Sequence, residues 1–142
     1  MLCLSTSLPH LLEETQILHA LTSIREVIRD GGILVLSQGM SDKQIKERPR
    51  YIPVVNTVDF SRVFAMEYSE DSLHIDVLDL LHDKSSGHDF KLTSFEYRII
   101  LRDDYERLLS QVGFVERHYF GNYQFEPYDK ESSNRLIAVA QR

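Results

Sequence analysis

The apolar positions change spacing several times along the chain, and each change marks an element. Met1 to Leu4 is a short apolar run that passes into the polar elbow Ser5-Thr6-Ser7. From Leu12 the apolar residues fall at Leu12, Ile17, Leu18, Leu21, Ile24, Val27 and Ile28, the three-and-four spacing that gives a helix one buried stripe. Glu13 and Glu14 in its first turn, and Arg25 and Arg29 towards its end, complement the helix dipole. Gly31-Gly32 stops the helix, since a left-handed residue after a helix is cheap for glycine. Ile33 to Leu36 is then continuously apolar, the pattern of a strand covered on both faces. A helix joining two such strands makes them parallel neighbours with a right-handed crossover.

Ser37 to Pro53 is polar and punctuated by Gly39, Pro49 and Pro53, which predicts a mobile loop with one short helical turn at most. Three antiparallel strands are expected next: Arg62 to Tyr68, Leu73 to Leu81, and Phe90 to Leu101. The turns Ser69 to Ser72 and Asp83 to Gly87 join them. Leu73, Ile75 and Val77 alternate with His74 and Asp76, as in a sheet with one wet face. Asp103 and Asp104 open a helix with the stripe Tyr105, Leu108, Leu109 and Val112, closed by Gly113-Phe114. Phe114 to Tyr119 and Leu136 to Ala140 are the last strands. Between them Gly121 to Asn134, with Gly-Asn-Tyr and Glu-Pro-Tyr, is long enough to fold over a neighbouring pocket. The expectation is an α/β fold: one domain over residues 1–142, with an antiparallel meander inserted at about 60–101.

The 142 residues, 42% hydrophobic and 27% charged, suit one compact core. A net charge of −6 advertises neither nucleic acid nor an anionic membrane as partner, and no apolar run approaches the roughly 20 residues needed to span a bilayer. Cys3 is the only cysteine, which excludes an intrachain disulfide and suits a reducing compartment, so a cytoplasmic location is expected.

Ser5, Ser7 and His10 lie just past the carboxyl end of the first parallel strand, where ligands approach in α/β sheets. Their competing role is structural, with Ser7 as a helix N-cap and His10 on the surface. Arg98 can pair with a substrate carboxylate, which a guanidinium binds bidentately, or serve as an ordinary strand arginine. His82, Asp83, His88 and Asp89 surround a polar turn and read as solvated rather than metal-binding. No Gly-x-Ser-x-Gly elbow supports a serine hydrolase, and Cys3 reads as a small buried hydrophobe.

The order of these elements, with several local strings, resembles the C-terminal half of a class I S-adenosylmethionine-dependent methyltransferase, in the small-molecule branch similar to glycine and sarcosine N-methyltransferases. Leu2 to Leu11 is similar to the family's fourth strand and following loop, where a Cys-Leu-Gly-Asn-Ser-Leu-Pro-His type of string is common. Arg29 to Leu36 resembles its Pro-Gly-Gly entry into strand five, with Asp30 in place of proline. Leu108 to Phe114 resembles the final helix running into strand six, and Asn134 to Gln141 strand seven. Gln38-Gly39-Met40-Ser41 stands where that group often has Asn-Tyr-Asp. The resemblance implies a Rossmann-like sheet with strands four, five, seven and six, and a three-stranded antiparallel lid. It implies S-adenosylmethionine as cofactor, met by Leu4, Ser5, Ser7 and His10, and a small-molecule acceptor near Tyr97, Arg98 and Tyr128. No Gly-x-Gly-x-x-Gly turn and no acidic-ended second strand occur in the sequence, so strands one to three are expected to be missing and the chain alone to bind cofactor weakly or not at all. No catalytic base is identifiable, as suits a reaction that needs mainly alignment. The alternative is a non-catalytic binding or assembly module that self-associates through its exposed sheet edge.

Overall fold

The computed structural model describes residues 1–83 and 87–142, with 83, 87 and 88 described by backbone alone. The described chain divides into two units, Met1–Glu47 with Arg98–Arg142, and Arg48–Tyr97.

The first unit is a four-stranded sheet with two long helices and one short one. β1 (Leu2–Cys3) runs parallel to β2 (Ile33–Gln38), with Leu2 opposite Val35 and Cys3 opposite Leu36. β8 (Leu136–Gln141) pairs antiparallel with β2 along its whole length, and β7 (Val115–Phe120) pairs antiparallel with β8, so the order is β1-β2-β8-β7. Helix α1 (Glu14–Val27) connects β1 to β2, and α3 (Arg102–Gln111) precedes β7. Ile17, Leu21, Leu34, Leu36, Leu108, Leu109 and Phe114 form the core. Burying each such side chain contributes about 1.5 to 3 kcal/mol, which is why the apolar periodicity dominates the fold.

The α1 stripe is narrower than its spacing suggests. Ile17 and Leu21 are fully buried, whereas Leu12 and Val27 at its two ends are exposed. A short 3-10 turn, Leu8–His10, comes before α1, and Ser7 makes no capping bond there. Its hydroxyl instead donates to the Leu4 carbonyl at 2.6 Å.

Helix α3 is stopped in the way Gly113-Phe114 promised. The Phe114 amide donates to the Leu109 carbonyl (2.9 Å) and the Gly113 amide to that of Ser110 (3.0 Å). With Gly113 left-handed at φ 85°, these bonds make a Schellman motif, and its apolar contact is the buried pair Leu109 and Phe114. At the other end the Asp104 carboxylate accepts the Leu101 amide at 3.0 Å.

The second unit is a four-stranded antiparallel sheet where three strands were expected. β4 (Phe60–Tyr68) pairs with β5 (Ser72–Asp83), and β6 (Gly87–Arg98) lies beside β5. The additional strand, β3 (Tyr51–Asn56), pairs with β4 and forms the sheet's edge. Its Pro53 argued for a loop, yet proline is tolerated on edge strands and at bulges, and the β3–β4 register shifts between Pro53 and Val55. The helical turn foreseen in the same stretch is a full short helix, α2 (Asp42–Glu47). The unit therefore begins at Arg48, and β6 ends at Arg98 rather than Leu101. Within the sheet, Arg62 grips Asp79 bidentately across strands at 2.6 and 2.7 Å. The turn joining β5 to β6 falls largely outside the described residues. Among the described residues no helix is long and apolar enough to cross a membrane.

Candidate functional site at the carboxyl ends of β1 and β2

β1 and β2 run parallel, so their carboxyl ends leave the sheet on the same side, and the two exits are stitched together. The Thr6 amide donates to the Ser37 carbonyl (3.0 Å), the Ser5 amide to the Ser37 hydroxyl (3.4 Å), and the Gly39 amide to the Thr6 hydroxyl (3.2 Å). Making these bonds forces two consecutive non-glycine residues into the left-handed region, Ser5 at φ 60° and Thr6 at φ 63°. Each such residue costs about 1 to 2 kcal/mol, and more strain falls on the β-branched Thr6. The family string that resembles this stretch has Gly-Asn at these two places, the residue types that tolerate this backbone best. Ser5→Gly is expected to raise unfolding stability by about 0.5 to 1 kcal/mol in urea denaturation, the relieved strain outweighing the freer unfolded chain.

The long segment after β7 closes on the same place. Tyr123, more than half exposed, holds its hydroxyl 3.3 Å from the Ser37 hydroxyl. Arg135 sits over the Tyr123 ring, 5.1 Å from its centroid, and donates to its hydroxyl at 3.4 Å. Asp129 organises the segment by accepting the Glu131 amide and both the amide and hydroxyl of Ser132 at 2.8 to 2.9 Å. Behind it is a polar cavity of about 430 Å³ lined by residues including Asn122, Glu126, Ser133 and Arg135. Ser37, Tyr123 and Arg135 were not singled out by sequence reasoning. The available signals were thin: Ser37 is the first polar residue after an apolar strand, and Tyr123 belongs to the Gly-Asn-Tyr string.

Beneath these exits lies a buried polar network. Gln38, 1% exposed, donates through Nε2 to the carbonyls of Met40 (3.0 Å) and Ile100 (2.7 Å). Its Oε1 accepts the hydroxyl of Tyr105 at 2.8 Å. Both amide protons and the acceptor are used, so the network is satisfied.

The structure separates the residues that the sequence grouped by chemistry. Leu4, Ser5, Ser7 and His10 do stand together after β1, and Leu4, Ser5, Ser7 and His10 are all exposed. Arg98 donates to the Leu12 carbonyl at 2.8 Å and lies 4.0 Å from Glu14, which Arg107 also grips bidentately. Tyr128 donates to the Asp42 carboxylate (2.7 Å) and accepts the Asp42 amide (2.9 Å), tying its segment to the start of α2. Tyr97, in the other unit, packs its ring against Phe95 at a centroid distance of 5.0 Å. Of the four residues around the β5–β6 turn, His82 is 3.3 Å from the Ser61 hydroxyl, while the side chains of Asp83 and His88 lie outside the described residues. Cys3 is half-buried, and burial pushes its thiol up, against a nucleophilic thiolate.

Burial raises the phenols of Tyr105, Tyr119 and Tyr128; the Glu106 carboxylate reinforces this for Tyr119, and for Tyr128 the Asp42 amide opposes it while the Asp42 carboxylate supports it. A raised folded-state value stabilises the fold below the ordinary phenol value and is lost as pH climbs towards the raised one. Stability is therefore expected to fall from about pH 10 upward. Absorbance at the phenolate band should show these three tyrosines resisting ionisation until the chain unfolds, and free ionisation in the folded chain would contradict the burial.

No protein-family model matches the sequence, and no curated protein matches it. Solved structures do. A S-adenosylmethionine-dependent methyltransferase from Clostridium acetobutylicum superposes with a TM-score of 0.79 at 10% identity, over 99% of this chain and 56% of that one. The CcbJ methyltransferase from Streptomyces caelestis gives 0.79 at 16% identity, over 99% and 58%. CalS10, an amino pentose methyltransferase of calicheamicin biosynthesis from Micromonospora echinaspora, determined with S-adenosylmethionine bound, gives 0.73 at 16%, over 99% and 57%. This chain thus has the Rossmann-like fold of these methyltransferases along nearly all of its own length, and spans rather more than half of theirs.

Proposed function

We propose that the chain is the C-terminal portion of an enzyme that transfers a methyl group from S-adenosylmethionine to a small-molecule acceptor. The observation that carries this is topological: a β1-β2-β8-β7 sheet with one antiparallel member, and an antiparallel sheet inserted between β2 and α3. Of the similar proteins, CalS10 is by its description an amino pentose methyltransferase, which favours a small-molecule acceptor.

The residues present suit one side of the cofactor only. Leu4, Ser5, Ser7 and His10 offer a polar loop of the kind that meets the methionine portion, with Ser37 beside it. The 142 residues contain no glycine-rich phosphate-type turn and no counterpart of the acidic ribose ligand. When bound, the cofactor supplies an already activated methyl group, so the protein's task is alignment and exclusion of water. In this reading Tyr123, with Arg135 on its ring, is the acceptor-side wall. Arg98 and Tyr128, whose polar ends are held by Glu14, Leu12 and Asp42, act as positioning residues. A role for Tyr97 at the acceptor rests on the family resemblance alone.

A second reading is favoured by β1, a two-residue strand at the sheet edge beside the exposed Met1 and Leu2. Such an edge recruits another strand, and a second copy of the chain can provide one. Calorimetric titration of the chain with S-adenosylmethionine, paired with light scattering, separates the two. The methyltransferase portion is expected to stay monomeric and show no saturable micromolar binding. A stable dimer without binding favours the assembly module, and tight binding overturns the incomplete grip.

A further inference from the structure

The second unit contains a groove that the proposed methyl transfer does not use. It measures about 590 Å³, within the usual size of small-molecule sites, and its lining includes Arg48, Arg50, Tyr51, Met66, Glu67 and His74. Its charges are unevenly matched. Asp76, also in the lining, is occupied by the Ser94 hydroxyl at 2.5 Å and by His74 at 3.2 Å. Glu67 stands directly across the β4–β5 pairing from the same histidine. Among the described residues neither Arg48 nor Arg50 has an ion-pair partner, although the chain carries a net charge of −6.

The Arg50 guanidinium is placed over an aromatic ring, and the Arg48 backbone is fixed nearby. Arg50 lies over the Tyr51 ring at 5.7 Å, and its carbonyl accepts the Met66 amide at 2.8 Å, which anchors it to the sheet edge. Arg48 is held left-handed at φ 48° two residues earlier. Paired guanidinia present forks of N–H donors that match phosphate oxygens, and an aromatic wall beside them suits the organic part of a ligand. A free phosphate ion would leave most of the volume empty. We infer that this groove binds an organic phosphate, its phosphate held by Arg48 and Arg50 and its organic moiety lying against Tyr51.

The test is titration of the full chain with phenyl phosphate, benzoate and inorganic phosphate, followed by amide chemical shifts. Phenyl phosphate is expected to saturate in the low-millimolar range or better, at least about tenfold tighter than either of the other two. Arg48→Gly, which suits the left-handed backbone, combined with Arg50→Gln should weaken it at least about tenfold while far-ultraviolet circular dichroism is unchanged. Arg50→Gln alone, at an exposed position just before β3, gives the same readout should the double variant fold poorly. Equal affinity for inorganic phosphate, equal affinity for benzoate, undiminished binding in the variants, or no saturation by about 10 mM each overturns the inference.

Discussion

Gln38→Leu is expected to lower unfolding stability by about 3 to 5 kcal/mol, measured by urea denaturation of the full chain. Leucine is close to glutamine in volume and is itself apolar, so the loss is not a packing loss. It comes from the carbonyls of Met40 and Ile100 and the hydroxyl of Tyr105, all left without the partner that Gln38 supplies. Each stranded buried group costs about 1 to 3 kcal/mol. Tyr105→Phe strands only the Gln38 oxygen and is expected to cost about 1 to 2 kcal/mol. The double variant should cost clearly less than the sum of the two, because the second change removes a group the first had orphaned. Strict additivity would mean that the two side chains do not act on one network. Met40 lies before α2, and Ile100 just after the chain re-enters the first unit, so Gln38 ties these two segments together within that unit.

The second large effect is expected at Phe114→Ala, about 3 to 5 kcal/mol in the same measurement. Phe114 is 1% exposed and is both a core side chain and the closing residue of the α3 stop. Truncation removes its transfer free energy and leaves a cavity against Leu109, while the Schellman hydrogen bonds, made by backbone, persist. Gly113→Ala isolates the other half of the motif: the core is untouched, and a side chain at φ 85° is expected to cost only about 1 to 2 kcal/mol. If Gly113→Ala costs as much as Phe114→Ala, the turn rather than the core is what holds α3 against the sheet.

Much of the first unit was legible because its elements each answer to one dominant local signal. The α1 and α3 stripes, Gly31 and Gly113 in left-handed turns, and the unbroken apolar run of β2 are statements about periodicity and backbone freedom. β3 was not legible, because Pro53 is a strong local argument against a strand and only its edge position makes it harmless. Tyr128 and Arg98 were visible as chemistry but not as commitments. Nothing within a few residues of either says that Asp42 and Glu14 will claim their polar ends.

The sequence by itself determined the α/β class, the strand–helix–strand opening, the antiparallel insertion and the polar loop Leu4–His10 at the carboxyl end of β1, since these follow from local pattern. The tertiary structure alone decided which groups meet at that loop. Ser37 and Tyr123 lie 86 residues apart, as do Asp42 and Tyr128, and Gln38 and Tyr105 lie 67 apart. Contacts at such separations carry no periodic signature. They exist because the sheet order brings the carboxyl ends of β1 and β2 together and lays the segment after β7 beside them.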